Sequence, residues 1–464
     1  MSGKEKSYEM DMCSGAILPK LLRFAIPLMC SSLLQLLFNA ADVIVVGRFA
    51  GDNALAAVGS NTSIITLMTN IFMGLSVGVN VLVAHYYAAK QQKNVEETVQ
   101  TAMTVAIISG IIVNIVGFVS ARQILVWMAS PAEVIDLATT YLRVYFFGMV
   151  AMMCYNFGAS ILRAVGDTRR AMYYLAFAGV VNVILNLIFV IGLHLSVVGV
   201  GLATVISQFI SGGLIIRCLC REKGAAHLDL RHLYIKKDKF LNILKIGIPA
   251  GLQSMIFCFS NLTIQASINS FGAVTVAGNS AASSIEGFVY VGMNSFSQAA
   301  ISFTSQNLGA GKIDRIKKII LQAQACVFVV GAGMGWLFAF FGSTLLGFYT
   351  TSADVMAVGM IRLSIVCMSY FLCGMMDVMT GCLRGLGYSL MPTITTVIGV
   401  CGIRMVWVFT GFRMEQFHSI NTLYMTYPVS WLLTLIIHIL CLSINWKKRF
   451  GSKQERLSDP NKVL

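Results

Sequence analysis

LLRFAIPLMCSSLLQLLFNAADVIVVGRF, residues 21–49, carries one charged side chain, Asp42, between Arg23 and Arg48. A helix needs ~20 mostly apolar residues to cross a bilayer, and this run supplies more than that. An ionised Asp in mid-span costs ~2.5–3.5 kcal/mol on insertion scales. The stretch therefore reads as a membrane helix holding one carboxylate that must be either compensated or used.

The rest of the chain repeats the apolar pattern. Its 464 residues are 57% hydrophobic and 12% charged, with mean hydropathy +0.76, whereas soluble domains run about 25% charged. The apolar runs are long and uniform, without the short period-2 alternation of a membrane barrel. The chain therefore reads as an all-α polytopic membrane protein. Twelve candidate spans lie near 20–47, 54–84, 98–120, 136–162, 171–193, 197–219, 242–270, 277–306, 319–346, 356–383, 392–412 and 421–445. The N-terminal segment lacks the ordered parts of a cleavable signal. The 12 cysteines are scattered, mostly within spans, in neither metal-ligand nor paired spacing.

Net charge is +14, and topology accounts for it without nucleic acid. Of the 34 Lys and Arg, all but Arg48, Arg122, Arg143, Arg362, Arg404 and Arg413 fall on the side of the N-terminus. By the positive-inside rule that side is cytoplasmic, and an even number of spans returns the C-terminus to it.

The chain also repeats itself. ILRAVGDT (161–168) and CLRGLGYS (382–389) place Arg163 and Arg384, and Gly166 and Gly387, 221 residues apart. Ser63-Ile64 and Ser284-Ile285, and Ala89 and Ala310, keep that separation, while Ile26-Pro27 against Ile248-Pro249 and Asn39 against Asn261 stand 222 apart. Collinear matches of this kind mark an internal repeat. The expected organisation is a six-helix lobe at 1–219, a cytoplasmic linker at 220–240, a second six-helix lobe at 241–445 and a cytoplasmic tail at 446–464. Two same-facing repeats suit a transporter. Pro27 and Pro249 each interrupt a first span, either as a bending gate helix or as an entry kink.

Polar groups within the spans mark candidate sites. Asn39 lies three residues before Asp42, Asn182 and Asn186 lie four apart in VVNVILNLIF, and GLATVISQF adds Thr204. A carboxylate with amide and hydroxyl oxygens can hold Na⁺. Desolvation also disfavours the charged form of a carboxylate, so Asp42 can equally carry a proton, or serve as a structural brace between helices. The second half has no acid at the matching place; position 264 is Ile. It carries Glu286, Asp377 and Arg404 instead, and a deep Arg usually finds a carboxylate. Arg404 is expected to pair with Glu286 or Asp377, as a brace or as a second charge site. GLSVGVNV (74–81) and GASILRAVGD (158–167) space small residues for close helix packing. The 25 Met and 28 Phe read chiefly as packing and lipid-facing residues. No P-loop or Ser/His/Asp, zinc or haem constellation appears, so no enzyme activity and no cofactor are expected.

With these motifs in hand, the chain resembles the multidrug and toxic compound extrusion (MATE) family over nearly its whole length. The resemblance rests on NAADVIVVG followed by ALAAVGS, on LRAVGDTRRAMYY and LRGLGYSLMP, and on NVILNLIFVIGL followed by GVGLATVISQF. It implies a plasma-membrane antiporter that exports organic cations by alternating access, driven by inward Na⁺ or H⁺. The family's first-span acid corresponds to Asp42, and its fifth- and sixth-span partners to Asn182, Asn186 and Thr204. In some bacterial members a second Asp stands where this chain has Asn186, which leaves Asp42 as the sole acid of the first cluster. The alternative within the wider superfamily is a flippase for a lipid-linked precursor, which needs a cationic cavity. Nothing in the sequence points beyond a monomer.

Overall fold

The computed structural model describes residues 9–128 and 131–450. Among them every regular element is helical. The first repeat comprises α1 (Ile17–Phe49), α2 (Asp52–Ala88), α3 (Gln92–Trp127), α4 (Ala132–Phe146), α5 (Met149–Ala164), α6 (Arg169–Asn186) and α7 (Ser196–Arg221). The second comprises α8 (Lys237–Asn269), α9 (Ala273–Gly309), α10 (Ile313–Phe340), the short α11 (Gly342–Gly347), α12 (Ala353–Arg362), α13 (Phe371–Gly385), α14 (Leu390–Thr396), α15 (Ile403–Phe409) and α16 (Ile420–Phe450). Wider π-helical turns follow α6, α12 and α14, at Leu187–Gly192, Leu363–Cys367 and Val397–Gly402.

Among the described residues nine helices are long and apolar enough to cross a membrane, or eleven when two bent pairs each count as one span. The pairs are Glu133–Phe146 with Met149–Ala164, bent by 49°, and Ala353–Cys367 with Phe371–Gly385, bent by 40°. The sequence places each within one continuous span, 136–162 and 356–383. The first break falls at Phe147-Gly148. Gly148 admits Gln208, whose Oε1 would stand 1.9 Å from a Cβ at that position.

The eighth expected span, α9, is not among the eleven. Asn279, Ser280, Ser283, Ser284, Glu286, Asn294 and Gln298 interrupt its apolar run. It compensates by burial, packing against α10, α12 and α13. A polar helix wrapped by apolar ones need not meet lipid.

The chain forms two compact units: residues 26–251 with the segment up to Met12, and residues from 252 onward with Cys13–Ala25. The units do not coincide with the repeats, since each takes in the opening part of the other repeat's first helix. The boundaries fall beside Pro27 and Pro249.

In the first unit Gly74 and Gly78 of α2 meet Gly247 and Gly251 of α8, and a Cβ on Gly74 would lie 2.3 Å from the Gly251 nitrogen. The small residues of GLSVGVNV thus permit the close approach their spacing implies. The linker docks on the same unit. Leu228 is buried, Lys236 N–H donates to Thr101 Oγ1 at 3.0 Å, and Lys239 Nζ donates to Asn94 Oδ1 at 2.8 Å. Residues 446–450 of the expected tail continue α16, and 451–464 lie outside the described residues.

Candidate functional site

In the first unit, Val45 and Val46 bury one face of α1 against a core that includes Tyr141, Phe146, Val190 and Val200. Packing that face sets the rotation of Asp42, which lies half-buried one turn earlier. Asn186 ends α6, where the π-helical turn begins. Its Nδ2 donates to Asp42 Oδ1 and also to Asn182 Oδ1, at 3.3 Å. Asn182 Nδ2 donates in turn to Thr204 Oγ1 on α7, at 3.4 Å. Thr204 completes the chain by donating to the Val200 carbonyl at 2.9 Å.

Asp42, Asn186, Asn182 and Thr204 therefore form one hydrogen-bonded line across three helices. Asn39 is exposed on α1 and makes none of these bonds. Two further groups belong to the surroundings. Gln208 lies one turn beyond Thr204, and Tyr141 and Tyr145 on α4 lie close enough to feel the Asp42 charge. Gln208 was legible in GLATVISQF at four-residue spacing from Thr204; the tyrosines carried no signal.

Two features decide what the cluster can do. Among the described residues no Lys, Arg or His forms an ion pair with Asp42. The Oδ1 of Asn186 and the Oε1 of Gln208 are buried and accept no hydrogen bond. Buried acceptors without donors are costly, and a cation or an added proton relieves that cost. The oxygens of Asp42, Asn186, Thr204 and Gln208 are hard donors, the type that Na⁺ takes.

The second unit is built differently. Glu286 on α9 is clamped by Arg362, which ends α12. Arg362 Nε and Nη2 donate to its two carboxylate oxygens at 2.9 and 2.7 Å. Arg362 Nη1 donates to Asn279 Oδ1 at 2.6 Å, Tyr424 OH donates to the same oxygen at 3.1 Å, and Asn279 Nδ2 reaches Gln265 Oε1 at 3.1 Å. Glu286 and Arg362 are both buried.

Arg362, counted in the sequence only among the basic residues away from the N-terminal side, is buried at the end of α12. One expectation is corrected. Arg404 pairs with neither Glu286 nor Asp377. Its Nε donates to Ser430 Oγ at 3.0 Å, and its guanidinium lies 4.2 Å from the Tyr427 ring centroid. Asp377 is half-buried on α13 and forms no ion pair among the described residues; its main-chain oxygen accepts from Ser297 Oγ at 2.9 Å. Among the described residues neither acid is therefore an ion-pair partner of Arg404.

The comparisons with known proteins agree with this architecture. The MatE family model matches residues 27–188 and again 249–410, at the separation of the internal repeat. The probable multidrug resistance protein YoeA of Bacillus subtilis (strain 168) is 25% identical over 433 residues, covering 92% of this chain and 93% of its own. The probable multidrug resistance protein NorM of Thermotoga maritima is 22% identical over 447 residues, 95% of each chain. An outward-facing structure of a multidrug resistance MATE family transporter of the MOP superfamily superposes with TM-score 0.86 at 21% identity, over 94% of this chain and 97% of that one. The chain is a multi-pass membrane protein of two repeats and belongs to the MatE family of multidrug efflux transporters.

Proposed function

We propose that this transporter works as an antiporter, exporting organic cations in exchange for Na⁺ or H⁺, with Asp42 as the coupling carboxylate. One observation carries the reading: among the described residues Asp42 has no counter-ion, and the amide that holds it, Asn186, keeps a buried oxygen without a donor. In the cycle, the entering ion neutralises Asp42 and drug is released outside. The ion then leaves toward the cytoplasm, and the freed carboxylate favours reloading with an organic cation. Asn182 and Thr204 position Asn186, and so fix the oxygen that the ion meets. The named relatives are multidrug resistance proteins, which supports a broad class of small organic substrates.

The test is efflux of a fluorescent organic cation from proteoliposomes, with a Na⁺ gradient and a pH gradient imposed separately. The expected result is that one gradient drives the wild type and neither drives Asp42→Asn. Wild-type transport that ignores both gradients overturns the antiport reading, and full coupling in Asp42→Asn overturns the assignment of Asp42.

A further inference from the structure

Arg404 is a buried cation of the second unit that no acid answers among the described residues. Glu286 is spent on Arg362, and Arg404, 1% exposed, makes no ion pair among the described residues. Its Nε reaches Ser430, but its Nη2 meets no acceptor. The nearby Trp431 repeats the pattern. It is 3% exposed, its ring centroid lies 5.5 Å from the Arg404 guanidinium carbon, and its indole Nε1 also has no acceptor.

Guanidinium and indole N–H groups can only donate. Two such donors without acceptors, on neighbouring side chains of which one carries a full positive charge, invert the chemistry of the Asp42 cluster. A neutral bundle of this kind would need an acceptor, and the charge selects an anionic one. Tyr427 at 4.2 Å from the guanidinium, with Tyr370 at 5.2 Å from Trp431 by ring centroids, leaves the corner walled by aromatic faces.

We propose that the Arg404–Trp431 corner of the second unit binds a singly charged anionic group, either a free halide or the carboxylate of an aromatic compound. It is separate from the Asp42 cluster and does not depend on how transport is coupled. If the carboxylate is the occupant, the transporter accepts amphoteric as well as purely cationic aromatics.

The experiment uses the purified full chain in nanodiscs, in buffer whose only other anion is the bulky sulfonate MES. Thermal unfolding and tryptophan fluorescence are followed while sodium chloride or sodium benzoate is added at constant ionic strength. Wild type should show a saturable rise in melting temperature with a concordant fluorescence change. Arg404→Gln should lose the saturable part. Trp431→Phe, which keeps the charge and removes one donor, should weaken half-saturation roughly tenfold, the loss of one hydrogen bond to an ion. A response to chloride identifies a free anion, and a response to benzoate alone identifies an organic carboxylate. No saturable response to either, or an equal one in Arg404→Gln, overturns the site and leaves its donors to water. If Arg404→Gln does not fold, unchanged half-saturation in Trp431→Phe overturns it.

Discussion

The two units place acids within the membrane under opposite rules. Asp42 in the first unit is held by a neutral amide and, among the described residues, pairs with no cation. Glu286 in the second is gripped through both oxygens by Arg362, which is itself held by Asn279. A carboxylate without a fixed counter-ion can exchange one mobile cation for another. A carboxylate locked to a buried guanidinium cannot do so without stranding a charge. The internal repeat did not give its two halves the same electrostatics, and the sequence already hints at this with Ile264 where the second half could have carried an acid.

The contrast breaks most sharply at the locked pair. Glu286→Gln strands the Arg362 charge in the core, and removing one partner of a buried pair costs about 3–5 kcal/mol. Thermal or denaturant unfolding in detergent should show that loss. The double variant Glu286→Leu/Arg362→Met should recover most of it, since well-packed apolar replacements of a buried pair are often neutral. If the single variant is as stable as wild type, the pair is not a brace.

Asp42→Asn should behave in the opposite way. Asn keeps an oxygen for Asn186 to donate to, so the melting temperature should stay near wild type. Gradient-driven efflux should fall by about 100-fold or more, a loss of about 2.7 kcal/mol in driving the step. A third change separates packing from chemistry. Gly74→Ala sets a methyl where Gly251 backbone lies 2.3 Å away, and overpacking of this kind costs about 1–3 kcal/mol. It should lower thermal stability of the purified protein, while leaving the ion selectivity of the folded fraction as in wild type.

Much of this was legible in the sequence, and the exceptions have physical causes. The Asp42, Asn182, Asn186 and Thr204 line was readable because polar groups are rare in spans and their four-residue spacing fixes a helix face. Asn39 was not separable from them by spacing alone. At about 100° per residue, three residues leave it only about 60° away from Asp42, and the structure nonetheless leaves Asn39 exposed. The partner of Arg404 was misread because residue types name the charges present and not which helices meet. Arg362 sits near a span end in the sequence, and only its contacts with Glu286 and Asn279 show that it is buried. The break at Gly148 lies inside an uninterrupted apolar run, YFFGMVAMM, whose single glycine does not by itself distinguish a bend from a straight span.

The smallest effect is the one that tells the two coupling ions apart. Thr204→Val removes the hydroxyl that accepts from Asn182 and replaces it with a methyl of similar volume. Losing one neutral hydrogen bond is worth about 1 kcal/mol, or roughly fivefold in affinity. If Na⁺ is the coupling ion, Thr204 is both a positioning group and an oxygen donor, and half-saturation for Na⁺ should rise by about that factor or more. If H⁺ is the coupling ion, the proton needs Asp42 and the Asn186 oxygen, and Thr204 acts only at second hand through Asn182. The pH dependence of efflux should then keep its midpoint while maximal rate falls slightly. A Na⁺ half-saturation that does not move, in a protein that the Na⁺ gradient drives, would remove Thr204 from the ion's path and shift attention to the Gln208 oxygen on the next turn of the same helix.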